Sequence, residues 1–335
     1  MTWDRILLDH GSGGKSSHEL VEEVFLPHFK NEFLNDLNDS AVFELDGARL
    51  AFTTDSYVVD PIFFPGGDIG RLAVSGTDND LLTAAARPLA LSASFIIEEG
   101  LEIKALERIA QSMRETAAEG GAAIITGDTK VVPRGSADKV FITTTGVGEV
   151  LRPGITGAAV RPGDKIILTG SVGDHGATVM IARENLLEGT SLSSDVAPLT
   201  EIVLNLLEQG CEIHAMRDPT RGGIAASLNE IARQSQVCLE IEESAVKVRP
   251  GVAAACEALG LDVFKVANEG KMLIFVASGD AEKALALVRA SRYGQDAEII
   301  GAVQDGPPGR VQVRTSIGTA RILDPPSGEL LPRIC

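Results

Sequence analysis

Glu102-Ile-Lys-Ala-Leu-Glu-Arg-Ile-Ala-Gln-Ser-Met-Arg-Glu-Thr-Ala-Ala-Glu119 is followed, after two glycines, by Ala122-Ala-Ile-Ile-Thr-Gly-Asp-Thr-Lys-Val-Val-Pro133. In the first half Ile103, Leu106, Ile109, Ala110, Met113 and Ala117 recur at spacings of three and four, which puts them on one face of an amphipathic helix. The second half opens with the apolar run Ala122 to Thr126, expected to be a buried strand, with Lys130 just past it. A second helix is predicted where Leu199, Ile202, Val203, Leu206 and Leu207 precede Gly210. Short β-prone runs (Leu50 to Thr54, Val140 to Thr145, Lys165 to Thr169, Met272 to Val276, Ala297 to Val303) alternate irregularly with such helices, which predicts an α+β fold.

A chain of 335 residues exceeds the roughly 100 to 200 of one domain, so two are expected. Pro and Gly punctuate the stretch from Leu151-Arg-Pro-Gly154 to Arg161-Pro-Gly163, which sets the junction near 152–162. The division expected is 1–152, 153–323 and a tail at 324–335, where prolines at 325, 326 and 332 forbid a continuous helix and suggest a detachable arm outside either core. No apolar run reaches the roughly 18 residues of a membrane helix, and the first residues lack the layout of a signal peptide, so a cytoplasmic protein is expected. Cys211, Cys238, Cys256 and Cys335 form no C-x-x-C pair and give no disulfide framework. A net charge of −17 opposes binding to nucleic acid, and an anionic nucleotide would need a divalent cation as a bridge.

His10-Gly-Ser-Gly-Gly-Lys15 lets backbone amides approach a phosphate closely, although its spacing is not that of a P-loop; an ordinary flexible turn reads as well. Five aspartates stand in polar, turn-like settings: Asp39, Asp55, Asp80, Asp128 and Asp218. Singly, each reads as a cap or Asx-turn; converging from separate loops, they suit a nucleotide-bound Mg²⁺, which prefers hard oxygen ligands. Lys130 could neutralise phosphate oxygens as charge shifts, or be a solvated loop lysine. Glu269 reads as a turn residue or a general base, and His175 and His214 as satisfied structural histidines. Cys335, after a Pro-rich arm, has little packing role to explain it.

These motifs, with Phe52-Thr-Thr-Asp-Ser56, Phe64-Pro-Gly-Gly-Asp-Ile-Gly70, Ser94-Phe-Ile-Ile-Glu-Glu-Gly100, Arg217-Asp-Pro-Thr-Arg-Gly-Gly223, Val266-Ala-Asn-Glu-Gly270 and Pro332-Arg-Ile-Cys335, resemble the HypE family from end to end. The resemblance implies the PurM-like fold of aminoimidazole ribonucleotide and selenophosphate synthetases, with N-terminal domains paired in a homodimer and ATP sites near the interface. It implies synthesis of the cyanide ligand of [NiFe] hydrogenase, with a HypF-type carbamoyltransferase as donor and a HypC-HypD type scaffold as acceptor. Carried over by position, Gly11, Gly13, Gly14 and Lys15 belong to a nucleotide-binding arm. Asp39, Asp55, Asp80 and Asp218 hold Mg²⁺ and phosphate, and Asn79, Thr126 and Asp128 complete the ATP site. Lys130 and Glu269 fall in motifs assigned to catalysis, and Cys335 matches the modified cysteine. One departure is Asp78, where a small or apolar residue is expected and a further negative charge near the metal site results.

The reaction so implied is ATP-dependent dehydration of an S-carbamoyl group on Cys335 to a thiocyanate. Two alternatives are another ATP-dependent small-molecule kinase or synthetase of the superfamily, and a non-enzymatic scaffold presenting Cys335. Against a selenophosphate enzyme, no cysteine precedes Cys211.

Overall fold

The computed structural model describes residues 4–34, 37–186, 190–326 and 333–335. Its N-terminal half begins with short helices α1 (Lys15–Leu20) and α2 (Leu26–Phe29). The strands β1 (Ala41–Leu45), β2 (Ala48–Tyr57), β5 (Ala86–Glu98), β6 (Ala123–Val132) and β7 (Val140–Val150) form one sheet in the order β1-β2-β7-β5-β6. A two-residue ribbon, β3 (Phe63–Phe64) with β4 (Gly67–Asp68), leads into α3 (Ile69–Thr83), and α4 (Ile103–Gly120) follows β5. Asp68 caps α3 by accepting from the amides of Gly70 and Arg71, satisfying donors that the first helical turn leaves unpaired.

The two helices answer their sequences differently. On α4 the periodic residues Ile109, Met113 and Ala117 are buried and the opposite face is solvated, as an amphipathic pattern requires. On α3 every residue but Arg71 is buried, the sheet lying on one side and the second half of the chain on the other. A helix so enclosed has no solvated face beyond its first turn on which to place a charge. Asp78 and Asp80 are therefore both interior, and two residues of helix, about 200° of rotation, send them to opposite sides.

The C-terminal half holds β8 (Lys165–Leu168), β9 (Ile213–Arg217), β10 (Cys238–Glu242), β11 (Leu273–Val276), β12 (Glu298–Gln304), β13 (Arg310–Arg314) and β14 (Ala320–Ile322). They form a mixed sheet in the order β14-β13-β10-β12-β8-β11-β9. Its helices are α5 (Asp174–Arg183), α6 (Thr200–Glu208), α7 (Gly223–Ser235), α8 (Pro250–Leu259) and α9 (Ala281–Ala290). Along β8 the side chains alternate between two cores: Ile166 and Leu168 meet Ile224 and Leu228 of α7, whereas Ile167 meets residues of α6 and α9. The helices and strand runs expected from periodicity are therefore present, and the fold is α+β with a sheet in each half.

Two expectations are corrected. The run Ala122 to Thr126 is not a buried strand: among the described residues β6 pairs only with β5, and from Ala123 on it is exposed, Ile125 at 70% and Val131 at 68%. Nor does the end of the chain lie outside the cores. Ile334 is 3% exposed and belongs to the hydrophobic cluster containing Tyr57, Val59, Phe64 and Val266, with Cys335 packed against it. The tail's residues 327–332 lie outside the described residues. No described helix is long and apolar enough to cross a membrane.

Candidate active site

Strand parity builds one wall of the site. Ala51, Thr53, Asp55 and Tyr57 alternate with exposed neighbours along β2, so they face inward toward α3. Asp80 comes to meet them from α3: the Thr53 hydroxyl is 2.8 Å from Asp80 Oδ2 and 2.9 Å from the Asp39 carbonyl oxygen, and Ser40 Oγ donates to the Asp80 carbonyl at 2.8 Å. From the other half, β9 delivers Arg217 and Asp218, the loop before α7 delivers Arg221, and the segment before β11 delivers Glu269. Arg217 is ion-paired with Asp39 and lies 3.7 Å from Glu230.

Oxygen atoms of Asp39, Asp80 and Asp218 lie within 4.8 Å of one another. Burial, then the neighbouring carboxylates, raises Asp80 and Asp218 well above the ordinary carboxylate range, and Asp55 is raised chiefly by burial. Three hard anionic donors crowded at the cost of mutual repulsion are what a divalent cation relieves, so this set fits Mg²⁺.

Cys335 enters the same pocket. The cavity at its sulfur is small, about 30 Å³, and is lined by Asp55, Tyr57, Gly76, Asp80, Asp218, Arg221 and Glu269. Burial and the Glu269 carboxyl push the Cys335 thiol well above its ordinary range, although Arg221 opposes them. Burial, with the nearby Asp218 and Asp195, raises Glu269 equally firmly, and its Oε1 has no hydrogen-bond partner among the described residues. The pair thus rests as a neutral thiol facing a neutral acid. Such a site does not make a thiolate; it suits a sulfur that already carries its group. Gly76 is required where it stands, because a Cβ there would strike the Tyr57 hydroxyl.

The glycine arm closes over Arg221. A Cβ on Gly13, whose φ is +74°, would lie 2.6 Å from Arg221 Cβ, and one on Gly14 would lie 2.7 Å from the Pro326 carbonyl oxygen. Arg221 also reaches the Gly11 carbonyl at 3.4 Å. The glycines here admit protein backbone and the Arg221 stem, and the Lys15 side chain points to solvent beside Glu19.

Other expected site residues stand elsewhere. Asn79 is fully engaged by the second half of the chain: it donates to the Ala197 carbonyl at 3.1 Å and accepts from the Leu199 amide at 2.9 Å. It fastens α3 to the loop before α6 and presents nothing to the carboxylates. Thr126, Asp128 and Lys130 are exposed on β6, with Lys130 Nζ 2.6 Å from Asp128 Oδ2, and none of them lines the Cys335 pocket within one chain. Asp78 adds no charge to the aspartate cluster. It faces Gly120 on the far side of α3, both its oxygens lack hydrogen-bond partners among the described residues, and burial pushes its pKa up to about 8.

The sequence patterns single out neither Tyr57, just past Phe52-Thr-Thr-Asp-Ser56, nor Arg221, within Arg217-Asp-Pro-Thr-Arg-Gly-Gly223. Period-2 parity from Thr53 and Asp55 would have found Tyr57. Nothing local distinguishes Arg221 from a solvated arginine.

The two halves, each built on its own sheet, are those of the AIR synthase class. The model of the AIR synthase related protein N-terminal domain matches residues 37–150 and that of the C-terminal domain matches 161–314. Within that class the chain is 52% identical to carbamoyl dehydratase HypE of Rhizobium leguminosarum bv. viciae, over 99% of this chain and 95% of the relative. It superposes on HypE in a HypE-HypF complex with a TM-score of 0.87 at 46% identity, covering 92% of this chain and 99% of that one. On hydrogenase maturation protein HypE in complex with ATP the TM-score is 0.84 at 49% identity, covering 99% and 100%. The chain belongs to the HypE family.

Proposed function

We propose that this chain is the ATP-dependent carbamoyl dehydratase of [NiFe] hydrogenase maturation, converting an S-carbamoyl group on its own Cys335 to a thiocyanate. The observation that carries this reading is the Cys335 sulfur held against Glu269 and Arg221 in one small cavity that Asp55, Asp80 and Asp218 also line. In this reading residues 1–152 and 153–323 are the two domains and 324–335 the carrier tail.

An amide oxygen is a poor leaving group, so it must first be phosphorylated. Cys335-S-C(=O)-NH₂ and ATP give Cys335-S-C(OPO₃)=NH and ADP with loss of one nitrogen proton; departure of phosphate with loss of the second leaves Cys335-S-C≡N. Glu269 is placed to take the nitrogen protons once it has released its own, and its raised pKa makes the resulting carboxylate a stronger base than an exposed one. Arg221 offers a fixed cation to the oxygen as charge builds there. Asp39, Asp80 and Asp218 would hold Mg²⁺, which when bound neutralises the nucleotide phosphates.

Lys130 requires a second chain in this scheme. The outer face of the first sheet exposes Phe52 at 44% and Ile96 at 44%, and pairing of two such faces in a homodimer would cover them and carry β6 toward the partner's nucleotide. A HypF-type carbamoyltransferase is the proposed donor, supported by the complex formed by the relative; a HypC-HypD type scaffold is the proposed acceptor, and the cytoplasm the proposed location.

Mass spectrometry of the C-terminal peptide tests the reading. The carbamoylated protein should lose the mass of one water with Mg-ATP and be arrested by a non-hydrolysable analogue, and Cys335→Ala should abolish both modifications. Water loss without ATP, or modification of Cys211, Cys238 or Cys256, would overturn it.

A further inference from the structure

The last residues are held by a set of contacts that the carboxylates do not supply. The amides of Val58 and Asp60 donate to main-chain oxygens of Cys335 and Arg333, both at 3.2 Å, so residues 333–335 lie along the segment that follows β2, with two rungs between them. Between those rungs the Ile334 carbonyl turns the other way, into the second half of the molecule. It meets His175 Nε2 at 2.7 Å.

His175 is fully buried near the start of α5, and its protons can be assigned from its neighbours. Ser194 Oγ accepts from the Val196 amide at 3.1 Å, which leaves its own proton for His175 Nδ1 at 2.8 Å. Nδ1 is then the acceptor and Nε2 carries the hydrogen that a carbonyl needs. Burial lowers the His175 pKa and keeps the ring neutral. The Phe64-Pro65-Gly66-Gly67 turn braces the arrangement. Phe64 meets the imidazole edge-on with centroids 5.4 Å apart, the Pro65 carbonyl accepts from the Ser194 amide at 2.8 Å, and a Cβ on Gly66 would lie 2.6 Å from Ser193 Oγ and the Ser194 carbonyl.

We propose that His175, its tautomer set by Ser194 on the Phe64-Pro65-Gly66-Gly67 platform, is a positioning residue that latches the Ile334 carbonyl and so holds the Cys335 sulfur at Glu269. The importance of the latch for turnover rests on the dehydratase reading. Its importance for docking does not.

The test is the rate at which iodoacetamide alkylates Cys335 in the full-length, unmodified protein, read on the C-terminal peptide. Removing one buried hydrogen bond should release the tail on the order of five- to tenfold more often, so His175→Leu should label that much faster. His175→Gln, whose side-chain amide can still donate from the Nε2 position, should label within about twofold of the parent. Ser194→Ala should fall between them, and it serves in place of His175→Leu if that variant does not fold. Equal labelling of the parent and a folded His175→Leu or Ser194→Ala, or His175→Gln as fast as His175→Leu, overturns the latch. No carbamoyl group or nucleotide enters this assay, so failure of water loss in the carbamoylated parent would reject the dehydratase reading and leave the latch standing. In the carbamoylated proteins, single-turnover water loss should slow in His175→Leu and recover in His175→Gln.

Discussion

Asp78→Asn should stabilise the protein, and the gain should grow with pH. Asp78 is fully buried on α3 with both oxygens unpartnered among the described residues, and desolvation raises its pKa from 3.8 to about 8. The native state therefore keeps a proton that the unfolded chain releases. Because the folded pKa is the higher one, stability is greatest below pH 3.8 and declines until the folded group also ionises near pH 8. Each pH unit across that window costs about 1.4 kcal/mol, so at pH 7 the burden is about 4 kcal/mol. Asparagine has the same shape and no titratable proton, and its unpartnered amide forfeits part of that sum, leaving an expected gain of about 1 to 3 kcal/mol at pH 7. For domains of this size that raises Tm by several degrees. Thermal unfolding of both proteins from pH 5 to 8.5 is the assay. A difference that does not widen with pH, or a less stable variant at pH 8, would refute the reasoning. Activity should be unchanged, since Asp78 faces away from the cleft.

Asp218→Asn should abolish ATP-dependent dehydration while raising Tm in the absence of divalent ions, because it relieves repulsion that lifts Asp80. Saturating Mg²⁺ should stabilise the parent, by about 2.7 kcal/mol at a hundred times Kd, and the variant much less; equal shifts would remove Asp218 from the metal set. Lys130→Ala should leave Tm nearly unchanged, as an exposed pair contributes little, yet slow dehydration. If Lys130 serves the partner's site, a heterodimer of Lys130→Ala and Glu269→Gln chains regains one intact site, and no recovery of activity would place Lys130 out of that role. Gly13→Ala should cost about 1 to 2 kcal/mol locally from its left-handed backbone and displace Arg221, slowing dehydration with little change in global Tm; an unaffected rate would show that the arm does not fix Arg221.

The sequence by itself determined the elements whose pattern is local. Three-and-four spacing located α4 and α6, and apolar runs located β2, β7, β8, β11 and β12. It also supplied the aspartates and Glu269, because carboxylates in turn-like settings and a family's motifs are visible one stretch at a time. What tertiary structure decided is which of them meet. Asp39, Asp80 and Asp218 come from three separate elements, and only the packing of α3 between the two sheets brings their oxygens within 4.8 Å. The same packing turned Asp78 away from Asp80, assigned Asn79 to a structural bridge, and left β6 exposed although its composition reads as core. His175 and Arg221 show the limit most plainly: a buried histidine and a loop arginine have no periodicity to announce them. Their roles follow from Ile334 and Cys335, 159 and 114 residues further along the chain, folding back between the two halves.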